Sequence, residues 1–235
     1  MPEHPDLTRL REEYQRRAQR PELGERYSLF NPAYLFTIQQ RQRSILKLLD
    51  KAGCCSLKDR RILEVGCGGG GVLLECLQYG ALAQNLHGID LLYDRLRSAH
   101  QTLMDLPLVC ADGQNIPYTD QAFDLTMQFT VFSSILDDQI RVNLANEIHR
   151  VTKSDGLIIW SDFWTNPTNP QTSGVRPAAI KALFPNCTVK LDRITLAPPL
   201  ARRLLPISWE FCVFLERLRL FNTHYLALIQ PKMVP

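Results

Sequence analysis

Four carboxylates in this chain, Glu64, Asp90, Asp112 and Asp162, each stand inside the end of a short apolar run or just beyond it. The first belongs to Arg61-Ile-Leu-Glu-Val-Gly-Cys-Gly-Gly-Gly-Gly71, an apolar run that passes an acid and enters a glycine-rich turn. Glycines there tolerate positive φ and let backbone pass within contact distance of a ligand. The spacing fits an acid followed by glycines at 66, 68 and 70, and equally glycines at 66, 68 and 71. Either pattern marks a nucleotide-type site without choosing its ligand. Asp90 ends Leu86-His-Gly-Ile-Asp90, 26 residues after Glu64, where a carboxylate can accept from both hydroxyls of a ribose. Asp112, in Cys110-Ala-Asp-Gly113, is placed to accept from an exocyclic amine. Any one of these acids is ordinary as a turn or capping residue. Three at successive strand ends beside a glycine turn point to a ligand.

The elements that must carry them alternate. Strands are expected at Ile62 to Val65, Asn85 to Ile89, Leu108 to Cys110, Phe123 to Phe129 and Leu157 to Ser161. Helices are expected between them at 71–79, 92–104 and about 138–151. Such strand-helix repeats imply a parallel sheet covered on both faces, with ligands at the strands' carboxyl ends. Residues 1–59 read as a helical N-terminal flap: a polar helix, an aromatic turn at Tyr27 to Tyr34 and a helix striped by Ile38, Ile45, Leu48 and Leu49. Residues 60–235 form the core. Near its end lie a Pro/Asn-rich loop, a helix at about 176–184, and two strand-like segments, 187–196 and 223–229, around a helical insert at about 199–220.

With these motifs in view the chain resembles the class I S-adenosylmethionine (SAM)-dependent methyltransferases, in particular their small-molecule branch. The carriers are Glu64-Val-Gly-Cys-Gly-Gly-Gly70, Gly88-Ile-Asp90, Ala111-Asp-Gly-Gln-Asn-Ile-Pro117, Phe123-Asp-Leu125 and Glu147 to Ile159. The resemblance is close over about 60–163. It departs at Lys153-Ser-Asp-Gly156, where relatives often have lysine-proline-glycine-glycine. It implies a Rossmann-like α/β fold with a seven-stranded, mostly parallel sheet, an antiparallel last strand and helices on both faces. It further implies SAM as cofactor, with Gly66, Cys67 and Gly68 beside the methionine part and Glu64 near its ammonium. Asp90 and Leu91 would hold the ribose, Asp112 and Gly113 would flank the adenine, and Gln128 would reach the sulfonium through its carbonyl. Tyr27 falls where many relatives place a flap over the cofactor.

The acceptor is less legible. Methyl transfer from a sulfonium is an in-line displacement served mainly by alignment, and a base is needed only when the nucleophile carries a proton. None of the five histidines follows the fourth strand, where Phe132-Ser-Ser-Ile135 stands instead. Asp162 is the best-placed acid for a catalytic or substrate contact, flanked by Trp160 and Trp164. Phe132, Trp164 and Arg202 are the expected substrate-lining residues. The reading is O-methylation of a small or biosynthetic metabolite, at a hydroxyl or carboxylate of a natural-product, peptide or glycan precursor, a carboxylate acceptor best explaining the missing base. Two alternatives stay open: an NAD(P)-dependent reductase, which lacks its Tyr-x-x-x-Lys pair here, and a non-catalytic domain of the same fold.

Composition sets the remaining bounds. Net charge is +3, and the early arginine cluster interleaves with Glu12 and Glu13, so a solvated helix face is expected rather than a nucleic-acid arm. No apolar run reaches the roughly 20 residues of a membrane span and no signal peptide opens the chain. Seven cysteines without metal-ligand spacing are expected as reduced thiols in a cytoplasmic protein with no metal. The insert is expected to pack on the sheet edge, to join a homodimer, or to form a lid over the acceptor.

Overall fold

The structure is a computed structural model that describes residues 4–166 and 169–232. Seven strands form one sheet in the order β3-β2-β1-β4-β5-β7-β6. The central strand β1 (Ile62–Val65) is buried throughout and pairs in parallel with β2 (Leu86–Asp90) and β4 (Phe123–Phe129). β3 (Leu108–Cys110) joins β2, and β5 (Thr152–Phe163) joins β4, both in parallel. β7 (Asn222–Pro231) runs antiparallel to β5, and β6 (Cys187–Leu196) antiparallel to β7. This is the seven-stranded sheet with an antiparallel last strand that the motifs implied.

The period of two along each strand sorts side chains to two cores. In β5, Ile158 and Trp160 face a core built with α6 (Asp138–Val151) and α7 (Pro177–Leu183). Leu157 and Ile159 face the other core, under α3 (Pro32–Lys51), α4 (Gly71–Gln78) and α5 (Tyr93–Thr102). A third cluster, centred on Phe36, Leu196, Ala201 and Cys212, joins α3 to the insert. The insert is two helices, α8 (Pro198–Leu204) and α9 (Trp209–Arg217). The helix starts follow local chemistry: Asn31 caps α3 ahead of Pro32, Asp137 caps α6 and Ser208 caps α9, each accepting a first-turn backbone N–H.

The polar N-terminal helix divides into α1 (Pro5–Ala18) and the short α2 (Pro21–Arg26). It is not the freely solvated face expected from its charges. Arg16 and Arg17 do pair outward with Glu13. Leu7, by contrast, is buried in the main core, and the Arg9 guanidinium donates to the Ser134 carbonyl at 2.6 Å and to Gln171 Oε1 at 3.0 Å. Arg11 donates to the Leu91 carbonyl at 2.9 Å. The Asp6 carboxylate accepts from the N–H groups of Leu136 and Asp137. These polar contacts seat α1 across the carboxyl edge of the sheet.

Candidate active site

The glycine turn between β1 and α4 is held left-handed at three positions, Gly66 (φ 72°), Gly68 (φ 52°) and Gly70 (φ 78°). A side chain at Gly66 would collide with Val131 and at Gly70 with Leu103, whereas at Gly68 it would meet the movable Arg95 guanidinium, so the left-handed backbone demands glycine at all three and crowding adds to it at Gly66 and Gly70. The turn is tied to β2 by its acid: Asp90 accepts the Gly68 N–H at 2.8 Å on one oxygen and the Leu92 N–H at 2.8 Å on the other.

Over this turn lies a cavity of about 130 Å³. Gly66, Asp90, Leu91, Asp112 and Gly113 line it, which brings together five of the residues expected from sequence. A second, more open hollow of about 320 Å³ shares Leu7, Leu91, Ala111, Asp112 and Gln114 with it and extends to His4 and Arg11. Asp112 lines both hollows and accepts from Gln114 on both oxygens, from its backbone N–H at 2.9 Å and its side-chain amide at 3.1 Å. Gly113 is crowded by Leu144, so the chain has no room for a side chain at that wall.

Other expected residues lie elsewhere. Tyr27 is 58% exposed, sits edge-on to Tyr34 and does not line the cavity; Tyr14 of α1 does. The Gln128 side chain is fully buried within β4, its Oε1 accepting the Val131 N–H, so only its backbone is left for the contact expected of it; the next two residues, Phe129 and Thr130, line the cavity. Cys67 faces the sheet core, where its sulfur crowds Gly88 and burial pushes its thiol far up. Phe132 is completely buried against Trp160, with ring centroids 6.2 Å apart, and is outside the cavity lining. Arg202 lies on the exposed face of α8, away from the cavity. Trp164, half-buried, donates its ring N–H to the Asn222 carbonyl at 2.8 Å and carries Arg193 over its ring.

A flap was expected within residues 1–59, but with its contact at Tyr27; it is α1 that lines the cavity. Leu7, Leu10 and Tyr14 line the cavity at i, i+3 and i+7 of α1, a spacing visible in the sequence but masked by the charges around it. Arg95 of α5 bridges cover and floor, its guanidinium 4.8 Å from the Tyr14 ring centroid and 3.9 Å from Asp90. Thr130 adopts φ 57° at the end of β4 and lines the cavity. A β-branched residue held left-handed is strained, and strain of that kind gathers at functional sites.

Beneath the turn lies a buried charge network. Glu64 is 2% exposed, and its Oε2 has no hydrogen-bond partner among the described residues. Burial drives its carboxyl well above the ordinary range; Arg41 opposes this, while Glu75 and Asp90 add to it. Arg41 of α3 binds Glu75 at 2.5 Å and lies 5.2 Å from the Phe129 ring centroid, on the cavity's far wall.

Asp162 is completely buried and absent from the cavity lining. It accepts the Ser133 N–H at 3.0 Å and the Phe163 N–H at 2.9 Å, clamping the turn after β4 to the end of β5. Burial raises its carboxyl to about 6 against the hydrogen bonds that favour ionisation. A raised native value means a contribution that is complete below about pH 4 and lost as pH climbs through 6, a swing of about 3 kcal/mol. Asp162→Asn sets an amide N–H₂ against one of two backbone N–H groups, at a cost of about 2 kcal/mol. Urea unfolding is thus expected to find this variant's deficit greatest near pH 4 and smaller above pH 6.

Residues 63–160 match the family described as "Methyltransferase domain". The chain is 29% identical over 156 residues to a ubiquinone/menaquinone biosynthesis C-methyltransferase of Citrifermentans bemidjiense, covering 63% of this chain and 62% of that protein. It is 31% identical over 115 residues to a malonyl-[acyl-carrier protein] O-methyltransferase of Hamiltonella defensa, covering 49% of this chain and 42% of that protein. The chain thus spans less than two thirds of the length of either. A solved SAM-dependent methyltransferase from Archaeoglobus fulgidus superposes with a TM-score of 0.57 at 19% identity, covering 85% of this chain and 99% of that one.

The chain has the class I SAM-dependent methyltransferase fold. Residues 63–160 are similar to a methyltransferase domain, and the class I fold implies SAM as the cofactor. The residues fit that group. Asp90 and Asp112 offer acceptors for a ribose and an adenine amine, the glycine turn offers close backbone, and the orphaned Glu64 oxygen suits a cationic ammonium. Among the described residues no cluster of three His, Cys, Asp or Glu side chains could hold a metal ion, and all seven cysteines are unpaired. No helix among the described residues is long and apolar enough to cross a membrane.

Proposed function

We propose that the protein transfers the methyl group of SAM to a small biosynthetic metabolite, and that the accepting atom is an oxygen already ionised at neutral pH, such as a carboxylate. The observation that supports this is the ionisable content of the cavity lining: Tyr14, Asp90, Arg95 and Asp112, with no histidine, lysine or glutamate among them. We assign Asp90 and Asp112 to the cofactor, which leaves no further carboxylate among the described residues of this lining to take a proton from a neutral hydroxyl. SAM, when bound, supplies a methyl on a sulfonium, ready for in-line displacement.

The chain's own work is then alignment and exclusion of water. Asp90 fixes the sugar, Gly66 and Val131 form a close wall, and Phe129 with Thr130 bounds the side from which an acceptor approaches. The N-terminal segment, residues 1–59, acts as a cover, with Leu7, Leu10 and Tyr14 closing the cavity from above. The unpaired cysteines support a reducing compartment, and we place the protein in the cytoplasm.

Methylation at carbon is the second reading, favoured by the name of the relative that matches over the longer stretch. Carbon that is already nucleophilic also needs little base catalysis. Incubation with SAM carrying a deuterated methyl, against a panel of small carboxylic acids, phenols and quinols, separates the two. A label released as methanol by mild alkali supports the ester. A label that survives alkali and maps to carbon overturns the oxygen assignment. Binding of SAM with no transfer to any acceptor favours the non-catalytic alternative.

A further inference from the structure

The insert between β6 and β7 carries its polarity the wrong way round for a solvated helix. Phe211 and Phe214, at i and i+3 of α9, are 47% and 54% exposed, and Ile207 in the turn before the helix and Leu218 at its C-cap are 78% and 45% exposed. The Phe211 and Phe214 rings stack on each other outside the protein at 6.4 Å. Leu220 and Phe221 extend the patch. The inner side of α9 instead buries a charge: Glu216 is 9% exposed and accepts the Thr195 N–H at 2.9 Å. α9 is seated by Cys212 and by Trp209, which packs edge-on to Phe36. An exposed apolar patch of this continuity marks a surface that binds something.

The charges beside it say what. Residues 198–221 expose Arg202, Arg203, Arg217 and Arg219 and one acid, Glu210, for an exposed balance of 4 − 1 = +3. Arg219 is paired with Asp192, while Arg202, Arg203 and Arg217 make no ion pair among the described residues. A second copy of this chain would bring the same arginines against each other across a two-fold axis, which like charge opposes. Aromatic and branched side chains flanked by arginine instead suit a helix lying in the plane of an anionic bilayer. The topology gives this surface a use. β6 and β7 are both hydrogen-bonded so that Leu196 and Asn222 lie at the sheet's carboxyl edge, and the insert rises from the same edge as the cavity.

We propose that the outer face of α8 and α9 docks on an anionic lipid surface through Ile207, Phe211, Phe214 and Leu218, with Arg202, Arg203 and Arg217 facing the headgroups. The proposal stands apart from the choice of accepting atom. The test is co-sedimentation of the whole protein with phosphatidylcholine vesicles containing or lacking phosphatidylglycerol, with S-adenosylhomocysteine titration and circular dichroism as folding controls. The expected result is binding to the anionic vesicles that salt weakens. Phe211→Ser with Phe214→Ser should lower it by about tenfold or more, because each phenyl loses its apolar environment. Arg203→Gln with Arg217→Gln should lower it by about fivefold for each arginine. Absence of wild-type binding to anionic vesicles overturns the proposal, as does equal binding by variants that pass the folding controls. A dimer in sedimentation velocity that the phenylalanine pair dissolves, without vesicle binding, would assign the face to a second copy instead.

Discussion

Asp90→Ala is expected to weaken S-adenosylhomocysteine binding by about a hundredfold or more, corresponding to roughly 3 kcal/mol of charge-assisted hydrogen bonding. The magnitude follows from three duties held by one carboxylate. It faces the cavity, it accepts the Gly68 N–H and it accepts the Leu92 N–H. Alanine removes the acceptor for the sugar and releases both sides of the ligand's cradle. The two orphaned N–H groups also destabilise the fold itself, by about 1–3 kcal/mol in total. Asp90→Asn separates these parts, since an amide keeps one acceptor and can still hold one loop. Its affinity should fall between wild type and alanine, with most of the stability retained. Calorimetric titration alongside urea unfolding checks both quantities. Unchanged affinity in the alanine variant would remove Asp90 from the site.

The second large effect belongs to Glu64, where folding and binding should move in opposite directions. Its carboxyl is pushed up by burial, with Glu75 and Asp90 adding to the shift and Arg41 opposing it. A group raised in the native state contributes stability that is full below its ordinary value of about 4.3 and is lost as pH rises through the raised one. Glu64→Gln removes that slope, so its stability relative to wild type should improve from pH 5 to pH 8. The same change deprives a ligand ammonium of its counter-charge and should cost about 10- to 100-fold in affinity. 5′-Methylthioadenosine, which has no amino-acid part, should bind the variant and the wild type alike. Equal losses for both ligands would mean that the glutamine side chain disturbs the turn rather than the ammonium.

Much of this site was legible because its chemistry sits at or near strand ends, where a continuous apolar run gives way to acids and glycines. Glu64, Asp90 and Asp112 follow that rule, and β4 was expected over the same Phe123–Phe129 that forms it. What escaped was set by tertiary contacts. The α1 cover was hidden because Arg9 and Arg11 spend their charge on backbone carbonyls of Ser134 and Leu91, which no local pattern records. At Gln128 the contact expected runs through the backbone carbonyl, while its side chain turns back to hold Val131 and the strand runs on through Phe129 before it bends at Thr130. Phe132 falls in a short 3₁₀ turn that buries it under the sheet rather than presenting it. Asp162 shows the limit of reading acids at strand ends: it does stand at the end of β5, yet it is completely buried outside the cavity lining, where it clamps two backbone N–H groups.

The measurement that tests the central claim most directly is calorimetric titration of the whole protein with S-adenosylhomocysteine and, in parallel, with NADH. The account predicts saturable one-to-one binding of S-adenosylhomocysteine, and no heat from NADH beyond dilution. Saturable binding of NADH without S-adenosylhomocysteine binding would contradict it, and would require a different ligand for the carboxylates of Glu64, Asp90 and Asp112.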